Sequence, residues 1–249
     1  MFLREFKWLN ATERRLPDAS VLPAKYLFKC LFFKVWRKLH ASGRMVWTVD
    51  AVSDARGPSV NCRNYLERQT IREIIRGIFP AGTLNRACEI GCGYGRLTMV
   101  LKEFAKFVKG FEREEHLVEI ARTLLPDLAF QQVKSLTDIG PEEPYDLVMI
   151  CTVLQHLTDQ EACQVCGVMK KLAPRGHILL IEKTAAFIIT DNIADGAQFI
   201  SRARSVDTYR QYLDPFALTA VRDRVLEPGY DNPQPGQCML FVSPDYKEN

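Results

Sequence analysis

The sequence of 249 residues lacks the features that mark a membrane-spanning or secreted protein. No apolar run approaches the roughly 20 residues that a transmembrane helix requires. The segment from Met1 to Asn10 mixes charged and apolar residues without the apolar core of a signal peptide, so we expect no signal peptide. The eight cysteines are dispersed and form no dense disulfide framework. Their distribution favours reduced thiols and a cytoplasmic protein.

The cysteines also give no indication of a metal site. Cys163 and Cys166 form a C-x-x-C pair, but they fall inside a predicted helix and no second pair accompanies them. A structural zinc site needs about four ligands. We therefore interpret both as packing residues and predict no bound metal.

Charge is distributed unevenly along the chain. Residues 1–50 contain ten Lys and Arg against four Asp and Glu, whereas the remainder contains 23 against 26. We predict that residues 1–60 form a basic, helical N-terminal extension and that residues 61–249 form the main domain. Within the extension, apolar residues recur at steps of three and four over residues 25–40, which predicts an amphipathic helix.

Three interpretations of this extension are open. It could be an ordinary amphipathic helix packed on the main domain, or a lid or docking element that closes over the functional site. Its apolar face could also lie in a membrane surface with Lys34, Arg37 and Lys38 above it, so that residues 25–40 make a peripheral membrane contact. We expect no nucleic-acid partner, because no recognition motif accompanies the positive charge.

From Arg86 onward, short apolar runs alternate with helical segments, which is typical of a doubly wound α/β sheet. Helices are predicted over residues 63–79, 96–104, 114–125, 159–172 and 206–213, and strands over residues 86–90, 107–111, 128–133, 145–151 and 177–182. Residues 184–204 are interpreted as an insertion. Two further apolar segments, 218–226 and 238–242, are predicted to close the sheet as a hairpin.

A glycine loop follows the first predicted strand and reads Glu89-Ile90-Gly91-Cys92-Gly93-Tyr94-Gly95. Closely spaced glycines let a backbone approach a ligand where side chains would collide. A dinucleotide-binding loop requires glycine at its first, third and sixth positions. Here the sixth position is Arg96, so the loop argues against NAD and FAD.

The E-x-G-x-G-x-G loop resembles motif I of the class I S-adenosylmethionine-dependent methyltransferases. That family implies a three-layer α/β/α sandwich with a mostly parallel, seven-stranded Rossmann-like sheet, and S-adenosyl-L-methionine as the cofactor. The resemblance gives Glu89 the role of orienting the loop and the methionine ammonium. It places the aminoacyl part of the cofactor against the loop, formed by Gly91, Cys92, Gly93, Tyr94, Gly95 and Arg96.

Glu112 ends the second strand 17 residues after Gly95, with Arg113 beside it. A carboxylate at this position can accept hydrogen bonds from both ribose hydroxyls, and Glu112 stands where the family has its ribose-binding acid. The alternative is a solvated acid near a helix start. Many relatives have an adenine-binding acid after the third strand, where this chain has Ser135 and Leu136. The Ser135 hydroxyl or backbone groups are the candidates for adenine contact.

The fourth strand and the loop after it, Tyr145–Leu157, are similar to the small-molecule branch of the family, as is Leu172–His177. The resemblance thus spans about residues 86–183. Cys151 and Thr152 are predicted to line the cofactor site at the end of this strand.

Methyl transfer mainly requires alignment of the acceptor atom with the methyl carbon, and an oxygen or nitrogen acceptor can also need a base. His156, in the loop after the fourth strand, is the predicted base, with simple packing in the turn as the alternative. Glu182, at the end of the fifth strand, is predicted to face the acceptor, with a solvated strand-end acid as the alternative.

The sequence therefore predicts transfer of a methyl group to an oxygen or nitrogen of a small molecule, such as a sugar, a lipid-linked precursor or a secondary metabolite. Two alternatives remain. Two segments, Val153–Asp159 and Arg204–Tyr209, also resemble those of the protein N-terminal α-amine methyltransferases, although this chain has Lys183 where that family has asparagine. A non-catalytic protein that binds the cofactor or acts as a scaffold would retain the same loop.

Overall fold

The computed structural model describes residues 59–79, 84–185, 189–192, 200–224 and 236–247. The helix predicted over residues 25–40 lies outside these ranges, as do the lid and membrane hypotheses that depend on it. Among the described residues, no helix combines the length and the apolar character needed to cross a membrane.

The structure contains helices on both sides of a central sheet. The helices are α1 (Ser59–Ile78), α2 (Thr98–Leu101), α3 (Glu115–Leu124), α4 (Asp159–Leu172) and α5 (Val206–Leu213). The strands are β1 (Leu84–Ile90), β2 (Ala105–Glu112), β3 (Ala129–Gln132), β4 (Leu147–Cys151), β5 (His177–Glu182), β6 (Ile189–Asn192), β7 (Ile200–Ala203), β8 (Ala217–Asp223) and β9 (Gln237–Val242). Short 3₁₀ turns follow β3 and β4.

Seven strands form one sheet in the order β3-β2-β1-β4-β5-β9-β8. Strands β1 to β5 are parallel, whereas β9 runs antiparallel to both β5 and β8. The predicted seven-stranded Rossmann-like fold and its terminal hairpin are confirmed. The predicted insertion contains a separate antiparallel pair, β6 and β7. The strand order reverses between β1 and β4, and parallel α/β sheets bind ligands at the carboxyl ends of strands at such a point.

Side chains alternate between the two faces of the sheet, which explains its three layers. On one face, Val148 and Ile150 of β4 are buried in a core that includes α4 and α5. On the other face, Leu147 and Met149 are buried with residues of α1 and α2. Because helices cover both faces of the sheet, the central strands are continuous apolar runs. This pattern is what allowed the strands to be predicted from the sequence.

The helix predicted over residues 96–104 is wrong in length, since only Thr98–Leu101 is α-helical. The backbone N–H of Val100 donates to Leu97 O at 2.8 Å, and that of Glu103 donates to Val100 O at 3.1 Å. These three-residue steps belong to tight 3₁₀-type turns. The chain therefore makes a single α-helical turn between the glycine loop and β2.

Candidate functional site

The glycine loop lies at the carboxyl end of β1, next to the reversal point of the sheet. Gly91, Gly93 and Gly95 have φ of 68°, 55° and 83°, a left-handed conformation that glycine adopts without strain. An added Cβ at Gly91 would lie 2.5 Å from Val153 Cγ2, and one at Gly95 would lie 2.7 Å from Leu125 Cδ1. The loop is thus held closely between the segment after β4 and the segment after α3, and two of its glycines are required by space as well as by conformation.

Glu89 connects the two ends of the glycine loop. Its carboxylate is buried at the end of β1 and accepts a hydrogen bond from Thr98 Oγ1, at the start of α2, at 2.5 Å. Burial raises the pKa of Glu89 to about 8, and the hydrogen bond from Thr98 opposes this only in part. This geometry is consistent with the predicted role of orienting the loop.

The raised pKa predicts a pH-dependent stability. Above the ordinary carboxyl range the folded state binds the Glu89 proton more tightly than the unfolded state, so the free energy of unfolding should fall as pH rises from 4.5 towards 8. Between pH 6 and pH 8 Glu89 alone should lower the free energy of unfolding by about 2 kcal/mol. Urea denaturation at both pH values should therefore show a smaller fall for Glu89→Gln than for the wild type. Equal falls in the two proteins would contradict the assignment.

Glu112 brings the end of β2 against the glycine loop. Its Oε2 accepts the Gly93 N–H at 2.8 Å, and its Oε1 accepts the backbone N–H groups of Arg113 at 2.7 Å and Glu114 at 3.1 Å. Oε2 therefore retains acceptor capacity beside the loop, where a ribose would lie. The Arg113 side chain is exposed and pairs with Glu114 at 2.8 Å. Its contact with the cofactor stays a prediction.

Arg96 lies in a buried ion cluster. Its Nη1 contacts Glu67 Oε2 on α1 at 2.5 Å, while Glu67 Oε1 accepts a hydrogen bond from Arg224 Nε at 2.8 Å. All three side chains are less than a tenth exposed. We call these three residues the buried ion cluster. Sequence reasoning found Arg96 but missed Glu67 and Arg224, since nothing in their local sequence marks them.

The 3₁₀ turn after β3 holds the residues predicted to contact adenine. The Ser135 hydroxyl lies 2.8 Å from Thr137 Oγ1 and accepts the Thr137 N–H at 3.3 Å, while Leu136 is buried. Ser135 thus caps its own turn. A contact between its hydroxyl and adenine would have to share these local hydrogen bonds.

The loop after β4 carries Thr152, Val153 and His156. Thr152 has φ of 55°, an uncommon conformation for a non-glycine residue, and its N–H donates to Ile181 O at 2.7 Å. The half-buried His156 imidazole lies with Nε2 2.8 Å from Gln155 Nε2. Because Val153 contacts Gly91, this loop lies directly against the glycine loop, and the structure brings His156 and Cys151 to the same edge of the sheet.

Glu182 does not face an acceptor. Its carboxylate is 0% exposed and accepts the N–H groups of Val153 at 2.8 Å, Leu154 at 2.9 Å and Gln155 at 3.1 Å. Burial raises the pKa of Glu182 to about 7, with the three amide hydrogen bonds acting in the opposite direction. The prediction that Glu182 binds the acceptor is wrong: its carboxylate instead binds the backbone of the loop after β4.

Comparison with known proteins agrees with this arrangement. Residues 88–178 match the methyltransferase domain family. An uncharacterized methyltransferase of Anoxybacillus flavithermus is 32% identical over 101 residues, covering 41% of this chain and 48% of its own length. The chain thus spans about half the length of this relative.

Two solved structures share the fold. One is an S-adenosylmethionine-dependent methyltransferase from Leishmania major, with 20% identity, a TM-score of 0.62, and coverage of 78% of this chain and 76% of that one. The other is magnesium protoporphyrin IX methyltransferase from Synechocystis PCC 6803 with bound S-adenosylmethionine. It has 18% identity and a TM-score of 0.56, and the match covers 91% of this chain and 100% of that one.

An open sheet whose order reverses beside a left-handed glycine loop defines a Rossmann-like, ligand-binding α/β domain. The family match specifies the domain further: residues 88–178 match the methyltransferase domain family, and the solved structures that share the fold include a methyltransferase with bound S-adenosylmethionine. The residues present fit that cofactor. Glycines 91 and 95 leave no room for a Cβ at the loop, and the buried carboxylates of Glu89 and Glu112 suit a ligand that carries positive charge and hydroxyl groups.

Proposed function

We propose that this protein transfers the methyl group of S-adenosylmethionine to an oxygen or nitrogen atom of a small-molecule acceptor. The observation that carries the proposal is the glycine loop, whose left-handed glycines lie between the carboxylates of Glu89 and Glu112. The bound cofactor supplies a methyl group already activated on a sulfonium. The similar fold of magnesium protoporphyrin IX methyltransferase supports a small-molecule acceptor.

The protein residues then have three tasks. Glu112, which accepts the Gly93 N–H, would also accept hydrogen bonds from the ribose hydroxyls of the cofactor. Glu89 and the glycine loop would hold its aminoacyl end. The loop after β4 forms the wall on the acceptor side, and His156 on that loop removes a proton from an oxygen or nitrogen acceptor. Alignment of the acceptor contributes most of the rate acceleration, and the base adds to it.

Calorimetric titration with S-adenosylmethionine tests the cofactor part of the proposal. The wild-type protein should bind, and Glu112→Gln should bind at least roughly tenfold more weakly, because hydrogen bonds to a charged acceptor are lost. Glu119→Gln, an exposed acid on α3, is the matched control and should leave the affinity unchanged. Absence of binding at millimolar cofactor would reject the enzyme hypothesis.

The acceptor class is tested with methyl-labelled S-adenosylmethionine and a cell extract separated into small-molecule and protein fractions. We expect the label in the small-molecule fraction. Label confined to the protein fraction would reject this acceptor class and favour the α-amine alternative.

A further inference from the structure

The loop after β4, residues 152–158, contains only one 3₁₀ turn, Leu154–His156, so most of its backbone groups need partners outside regular structure. The Glu182 carboxylate accepts hydrogen bonds from three consecutive N–H groups of this loop. The carbonyl groups of the same loop are bound by Arg204, which is not among the predicted site residues.

Arg204 lies between β7 and α5, and its side chain is 0% exposed. Its Nη1 donates to Leu154 O at 2.6 Å, and its Nη2 donates to Leu157 O at 2.7 Å. Its Nε donates to Asp159 Oδ1, at the first residue of α4, at 2.9 Å. The planar guanidinium thus uses all three nitrogens on the loop and the helix that follows, a geometry that an ammonium group cannot reproduce.

A buried carboxyl group and a buried guanidinium therefore hold one loop. The carboxylate of Glu182 binds its N–H groups, and the guanidinium of Arg204 binds its carbonyl groups. Burying a charge is unfavourable unless its hydrogen bonds are well made. The positive φ of Thr152 also persists only where the surroundings enforce it. The loop so constrained contacts Gly91 through Val153 and carries His156.

We infer that Arg204 is a positioning residue for methyl transfer: together with Glu182 it fixes the loop after β4 so that His156 is presented to the acceptor at a constant position. The inference rests on the proposed function for the role of His156, but the loop geometry can be tested without any acceptor.

The experiment compares Arg204→Lys with the wild type and with Arg210→Lys, a matched control that alters an exposed arginine on α5. Amide hydrogen exchange of residues 152–158 and the imidazole titration of His156 by NMR are the readouts. In Arg204→Lys the amides of Val153, Leu154 and Gln155 should exchange at least roughly tenfold faster. The His156 titration midpoint should shift, while exchange in β4 and β5 stays unchanged. The control should match the wild type in every readout.

Asp159→Asn provides a second variant in case Arg204→Lys does not fold, because Asp159 is 47% exposed and only one of the three Arg204 anchors is weakened. It should change the same readouts to a smaller extent. Unchanged exchange and titration in both variants would overturn the inference. Faster exchange spread evenly over the whole sheet would also overturn it, since that result belongs to a residue that only stabilises the fold. Neither result alters cofactor binding by the wild type, so failure here is distinguishable from failure of the proposed function.

Discussion

Gly91→Ala should abolish measurable binding of S-adenosylmethionine at micromolar concentrations. The new Cβ would lie 2.5 Å from Val153 Cγ2 and 3.2 Å from Cγ1, and the φ of 68° disfavours every residue with a side chain. The backbone cannot move aside easily, because the Gly91 N–H donates to Phe111 O of β2 at 2.8 Å. Strain of about 1–3 kcal/mol and displacement of the loop together predict an affinity loss of roughly 100-fold or more.

Calorimetry with matched alanine variants checks this result. Gly167→Ala, on α4, adds a methyl group where nothing lies within 4 Å, and it should preserve affinity and slightly raise stability. Adding Val153→Ala to Gly91→Ala removes the clash but not the unfavourable φ, so affinity should return only in part. Binding by Gly91→Ala at the wild-type level would show that the cofactor does not depend on this loop.

Local sequence patterns predicted most of the architecture, because the features concerned are short and contiguous. Gly91, Gly93 and Gly95 follow an apolar strand directly, and each has the left-handed φ that such a loop requires. The buried central strands are likewise continuous apolar runs in the sequence. Glu112 was found in the same way, since an acid at the end of β2 falls beside the loop in any parallel sheet with this connection.

Burial of charged side chains could not be predicted from local pattern. Glu182 reads as an exposed acid at the end of a strand, yet the loop after β4 folds over it and supplies three N–H groups. Arg204 binds a carbonyl group of the same loop, although the sequence predicted only an insertion over residues 184–204 and a resemblance of Arg204–Tyr209 to the α-amine methyltransferases. The short length of α2 was also missed, since the turns around it form through backbone hydrogen bonds rather than through a side-chain pattern.

The buried ion cluster is the clearest example of such a long-range feature. Glu67 and Arg96 are 29 residues apart, and Glu67 and Arg224 are 157 residues apart, so no motif could join them. The cluster connects α1 and the end of β8 to the residue that follows the glycine loop. Burial lowers the pKa of both arginines, but the Glu67 carboxylate outweighs burial and raises both above the ordinary value. Both guanidiniums are therefore buried cations with Glu67 as a counter-charge.

Glu67→Gln should therefore destabilise the protein strongly. Loss of one partner leaves the buried guanidiniums of Arg96 and Arg224 without this counter-charge, which typically costs about 3–5 kcal/mol in the free energy of unfolding. Glu73→Gln, an exposed acid on the same helix, should change stability by about 0.5 kcal/mol or less. Urea denaturation of both variants measures the difference.

A double substitution separates lost charge balance from lost packing. Arg224→Met in the Glu67→Gln background removes one of the two cations while keeping much of its apolar volume, so it should recover part of the lost stability. Further destabilisation by Arg224→Met would mean that packing dominates.

Because Arg96 directly follows Gly95, Glu67→Gln should also reduce the rise in melting temperature that S-adenosylmethionine produces, whereas Glu73→Gln should not. An unchanged rise in melting temperature would show that the buried ion cluster does not affect cofactor binding. Its role would then be limited to attaching α1 to the sheet.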